Sequence, residues 1–184
     1  WFGLSLTAFR VAIAATILLG VVMTDLLHYV IPDGFTVTGF LIAVLAPLVA
    51  AFVGDQGPFA GPWEAVIGAC TGAGLIAIVA WLGEVALGKE AMGQGDVTLM
   101  AMIGAMVGPV GSFFTVFVAA GLGSVAFLAI VAPIGAWRAK RRGEPFALPL
   151  VPFGVFLAPA GIVTLLFGDF MIAKYLVYIG AAAS

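Results

Sequence analysis

The sequence predicts an all-α protein: a polytopic membrane bundle of about six helices with short loops, forming one domain over residues 1–184. Three observations predict it. First, 64% of the 184 residues are hydrophobic and only 9% are charged, with a mean hydropathy of +1.25. A soluble domain averages about 25% charged residues and is less than half apolar. Second, the apolar residues fall into runs near the roughly 20 residues a helix needs to cross hydrocarbon. Third, the basic residues of the loops sort onto one side once those runs are taken as crossings. Seven Lys and Arg against nine Asp and Glu leave no basic face for nucleic acid. One cysteine, Cys70, and one histidine, His28, make neither a disulfide framework nor a Cys/His zinc site. The chemistry is therefore left to carboxylates, hydroxyls and backbone, with no metal and no cofactor expected.

The runs read in order as Phe2–Thr24, Phe35–Val53, Trp63–Leu87, Val97–Val107, Ser112–Trp137 and Pro149–Phe167. Trp1 stands at the start with no basic segment before the first run, so that run is not a signal peptide. The expectation is a chain that begins inside a longer protein. The fourth run is short, covering half to two-thirds of the hydrocarbon at about 1.5 Å per residue, and Pro109 stops or kinks it. Charge decides whether it crosses. If all six cross, Asp25–Gly34, Gly88–Asp96 with Lys89, and Arg138–Leu148 with its four basic residues share one face, which becomes the cytoplasmic one. Gly54–Pro62 and Gly108–Gly111 carry no Lys or Arg and face outward, as does Trp1. Arg10 is the exception, and it either snorkels outward or pairs with an acid. The tail from Gly168 to Ser184, broken by Lys174, reads as interfacial.

Most of the nine acids have ordinary readings as loop or helix-end residues: Asp55, Glu64, Glu84, Glu90, Glu144 and Asp169. Asp25 and Asp96 stand apart. Separated by 71 positions, both fall at the cytoplasmic membrane edge, where ionisable groups are costly and mark function. Asp96 follows Gly93-Gln94-Gly95, a loop able to admit another backbone. It precedes a stripe of small residues, Ala101, Gly104, Ala105 and Gly108, on which a neighbouring helix can pack closely.

The segment Gly93-Gln94-Gly95-Asp96-Val97-Thr98-Leu99-Met100-Ala101-Met102-Ile103-Gly104-Ala105-Met106-Val107-Gly108 resembles the Gly-x-Gly-Asp signature of the type IV prepilin peptidases, a family of membrane aspartic proteases. Thr24-Asp25-Leu26-Leu27-His28-Tyr29-Val30-Ile31-Pro32-Asp33 is similar to the family's first aspartate motif, and Pro152-Phe153-Gly154 with Phe156-Leu157-Ala158 resembles a late family segment more weakly. Thr98 and Pro109 depart from the family's usual Lys and Trp. Residue 98 lies about 200° round the helix from Asp96, so its change leaves the aspartate pair untouched. The upstream paired Cys-x-x-Cys region that accompanies N-methyltransferase activity in the family has no counterpart in these residues, so that activity is not expected of this chain.

The resemblance implies an aspartic endopeptidase of the bacterial inner membrane. It would remove the basic leader of prepilin or pseudopilin substrates at the cytoplasmic face, with Asp25 and Asp96 catalytic. Two carboxylates sharing a site do not both ionise easily. Asp96, near a helix start, reads as the base, and Asp25, near a helix end, as the acid. Gly93 and Gly95 are candidate contacts for an extended substrate segment, and Asp33 and Glu90 for its basic leader. Asp33 also shapes the turn after Pro32, and His28 faces water. The lipid bilayer is the other partner, and self-association is left open. The alternatives are a proton- or cation-coupled transporter built on the same two aspartates and a catalytically inert assembly subunit. Against the transporter, both acids lie at one edge rather than the midplane, and no paired interrupted helices are present.

Overall fold

The computed structural model describes residues 6–53, 61–88, 92–142 and 152–178, and among these it contains helices and no strand. Helix α1 is Leu6–His28, α2 Asp33–Val53, α3 Pro62–Leu87 and α4 Gln94–Ala126. A short π-helical stretch, Phe127–Val131, leads into α5, Ala132–Arg142, and α6 is Gly154–Tyr178. Trp1, Asp55, Lys89, Glu90 and Glu144 lie outside the described residues, as does the side chain of Arg10.

Three helical stretches are long and apolar enough to cross a membrane: Val11–His28, Pro62–Ala86 and Gln94–Arg141. Asp33–Val49 and Gly154–Gly168 are shorter apolar helices. The third stretch, at 48 residues, would be about 70 Å long if straight, more than twice the hydrocarbon thickness. It is not straight. Gly108 has φ 74° and ψ −179°, a conformation open in practice only to glycine, and Pro109 follows it. A Cβ built on Gly104 would lie 2.8 Å from the Ser112 hydroxyl, eight residues on. In a straight helix eight residues rise about 12 Å, so the axis folds back at Gly108. Thus the fourth predicted run lies on the first arm of a sharply broken α4, and the fifth takes in its second arm, the π-helical stretch and the start of α5.

Two helix ends differ from expectation. The fifth run continues past Trp137 to Arg142, so Arg138, Lys140 and Arg141 sit on the last turns of α5 rather than in a loop. Ala, Lys and Arg are strong helix formers, and the Arg141 guanidinium lies 4.0 Å from the centre of the Trp137 ring. The predicted interfacial tail is likewise a continuation of α6, which passes Gly168 and ends at Tyr178. A single helical glycine costs only about 1 kcal/mol, and the Lys174 ammonium rests 5.3 Å from the centre of the Phe170 ring on the same helix.

Lipid is as apolar as leucine, so membrane helices associate through close packing and interhelical hydrogen bonds. Both are present. α3 lies along α4, α4 along α6, and α6 along α1, while α2 touches α1, α3 and α4. Gly68 of α3 and Gly104 of α4 approach so closely that a Cβ on either would collide with the other's carbonyl oxygen. The small-residue stripe thus seats α3. Leu99, Met100, Met102, Ile103 and Leu157 form the buried core, while large apolar side chains such as Phe52, Trp63 and Phe117 face outward. Ser112 donates to the carbonyls of Gly108 and Gly68, and Thr115 donates to Thr164, which donates in turn to the carbonyl of Ala160. These buried hydroxyls tie α4 to α3 and α6.

Candidate active site

Asp25 stands one turn before the end of α1. The helix stops at His28 because Tyr29 adopts φ 55°, and its N–H closes back on the Asp25 carbonyl at 3.0 Å. This is the left-handed ending usually assigned to glycine. Pro32 then opens α2, with the Phe35 N–H donating to its carbonyl. Only four residues separate the two helices.

Asp96 is the third residue of α4. Gly93 caps the helix in an extended conformation, and the Asp96 N–H donates to the Gly93 carbonyl. The Asp96 carboxylate faces the Gly93 N–H. The predicted Gly93–Gly95 loop is mostly helix: Gln94 and Gly95 belong to the first turn of α4, which the Asp96 N–H closes on the Gly93 carbonyl. A Cβ on Gly95 would lie 3.1 Å from Ile31 Cβ, whereas Gly93 stays open.

The two acids converge. Asp25 is 5% exposed and Asp96 8%, and they are near enough for the charge of one to act on the other. Between them lies the start of α6, a part that the sequence reading left without a role. The Gly154 N–H faces the Asp96 carboxylate, and the Val155 N–H faces that of Asp25. A Cβ on Gly154 would fall 2.6 Å from Asp25 Oδ2 and 2.9 Å from Ile31 Cδ1. Asp25 Oδ2 is itself buried with no hydrogen-bond partner among the described residues. The weak similarity of Pro152-Phe153-Gly154 to a family segment was the one signal that could have found this.

The other predicted positions are more peripheral. Asp33, the first residue of α2, is exposed, as is His28 in the last turn of α1. Thr98 is exposed and donates to the Gly95 carbonyl, on the side of α4 away from Asp25. Glu84 lines a recess of about 210 Å³ with Trp81, Met92, Gly93 and Gln94. Cys70 is exposed on α3. No group of three His, Cys, Asp or Glu able to hold a metal occurs among the described residues.

A family model described as the type IV leader peptidase family matches residues 12–128, a stretch that includes both aspartates. The chain belongs to this family. Its curated relatives include the prepilin leader peptidase/N-methyltransferase of Stutzerimonas stutzeri, 31% identical over 175 residues, covering 95% of this chain and 55% of the relative. The protein of the same name from Burkholderia pseudomallei (strain K96243) is 40% identical over 134 residues, 71% of this chain and 40% of the relative. That of Dichelobacter nodosus is 32% identical over 151 residues, 82% and 46% respectively. The chain spans about half the length of the curated relatives it matches. No solved structure matches it. Nothing in these comparisons supports the transporter alternative.

Proposed function

We propose that this chain is the peptidase part of a prepilin-processing enzyme, an aspartic endopeptidase that cuts the leader from prepilin or pseudopilin substrates at the cytoplasmic face of the bacterial inner membrane. The observation that carries the reading is the meeting of Asp25 and Asp96, from two helices, in a buried site at one end of an apolar bundle. Family membership supplies the class of reaction.

The chemistry needs no group beyond the pair. The ionised carboxylate takes a proton from a water molecule, whose oxygen attacks the scissile carbonyl carbon. The protonated carboxyl gives its proton to the carbonyl oxygen as it becomes tetrahedral. In its collapse one hydroxyl returns its proton to the carboxylate that had given one up, the carbonyl re-forms and the C–N bond breaks. The leaving amine takes the proton that the other carboxyl had drawn from water. Asp96, at the N-terminal end of α4, is the base, and Asp25, in the last turns of α1, is the acid, as the opposite ends of the two helix dipoles favour. The open backbone at Gly93, next to the Glu84 recess, is where an extended substrate segment lies. Asp33 attracts the basic leader from the α1–α2 turn, and Glu90 remains a candidate for the same task. The methyl transfer in the relatives' printed names is not assigned to the residues of this site.

The test is leader removal from a model prepilin in membranes carrying wild type, Asp25→Asn or Asp96→Asn. Each change should lower cleavage by about 10²–10⁴-fold, the usual worth of a positioned acid or base. Cleavage that survives either change overturns the reading.

A further inference from the structure

The geometry points to the first turn of α6 as the positioning element of the aspartate pair, with Gly154 and the Val155 N–H as the groups that set the two carboxyls against each other. This rests on the peptidase reading above and adds a part to it. Among the described residues the backbones of α1 and α4 do not approach each other closely; α2 touches both, and α6 packs along both more extensively. Of these two neighbours, α6 is the one whose first turn reaches the Asp25 carboxyl.

The contact is made by backbone. The first N–H groups of a helix have no partner within it. In α6 the N–H groups of Phe156 and Leu157 turn back to the Phe153 carbonyl, which leaves those of Gly154 and Val155 free of helical bonds. One faces Asp96 and the other Asp25. A glycine is required because the Asp25 carboxyl occupies the space a Cβ would fill, 2.6 Å from Oδ2. That oxygen is buried, with no hydrogen-bond partner among the described residues, so the Asp25 carboxyl is seated against the first turn of α6. Any side chain at 154 would push Asp25 off this seat.

Two variants test the assignment by different routes. Gly154→Ala adds the colliding methyl. Val155→Pro deletes the N–H facing Asp25 and adds nothing at 154, and proline is tolerated in a first helical turn. Kinetics on a model prepilin should show kcat down at least about tenfold for each, with KM within about twofold and the purified protein's melting temperature held near wild type. A displaced substrate site would instead raise KM. Because the added methyl would also crowd Ile31 Cδ1 at 2.9 Å, Gly154→Ala is combined with Ile31→Ala. If crowding of Ile31 is the whole effect, the double variant recovers the rate of Ile31→Ala alone, and the assignment is overturned. It is overturned equally if Val155→Pro cleaves at the wild-type kcat, or if the loss appears in KM. Asp25→Asn and Asp96→Asn run alongside keep the two readings apart. If they cleave normally the peptidase reading fails, and if they are dead while both α6 variants are active only the positioning role fails.

Discussion

Residue 98 separates what the site needs from what surrounds it. Thr98 occupies the place of the family's usual lysine, and the structure turns it outward, its hydroxyl spent on the Gly95 carbonyl. Thr98→Lys should therefore leave leader cleavage within about twofold of wild type and stability within about 0.5 kcal/mol, as surface substitutions do. A parallel assay of cleavage rate and thermal melting checks both. This outward placement was legible from the helical angle alone, as was the standing of Asp25 near the end of one helix and of Asp96 near the start of another. The Gly93–Gly95 segment was not, because two glycines beside an acid read as a loop while the backbone closes a helical turn there. The Asp96 N–H bonds the Gly93 carbonyl, and no pattern of apolar residues reports it. Tyr29 is similar: a bulky residue with φ 55° stands where glycine would be expected.

At the scale of elements, the broken α4 carries the sharpest expectation. With φ 74° and ψ −179° at Gly108, any Cβ is strained, so Gly108→Ala should cost about 1–3 kcal/mol of stability. A denaturation series in detergent would measure it, and an unchanged midpoint would mean that the arms of α4 are joined in some other conformation. The existence of both arms was readable from the short fourth run and Pro109. That the chain keeps helical hydrogen bonding on either side of so tight a break was not, since it depends on α3 lying against both arms at Gly68. The ends of α5 and α6 were underread for a related reason: Lys and Arg stop hydropathy but not helices. Arg141 and Lys174, each set over an aromatic ring of its own helix, show how the helix goes on.

For the molecule as a whole, one end of the bundle gathers the α1–α2 turn and the starts of α4 and α6, since Ile31 meets both Gly95 and Gly154. The second arm of α4 returns to the same end, where Phe127 lines a recess with Phe153 and Phe156. The charge of the loops predicts that this end is cytoplasmic. Single cysteines at Gly34, Gly88 and Arg138, in a chain whose Cys70 is replaced, should all react with a membrane-impermeant maleimide from the cytoplasmic side, and one at Trp63 from the other. Labelling of residue 138 from the side of residue 63 would refute the six-crossing order. The bundle was legible as a whole because hydropathy and charge are properties of the chain. Its centre was not, because the helix between the two acids contributes amide nitrogens, which every sequence possesses.

That last point bears on how such a site would be searched for. An alanine scan would pass over Val155, since Val155→Ala keeps the N–H that faces Asp25, and selection for loss of function would find the position only when it drew an imino acid. A main-chain contact of this kind comes to light through ester-for-amide replacement, which exchanges one N–H for an oxygen and leaves every side chain as it was.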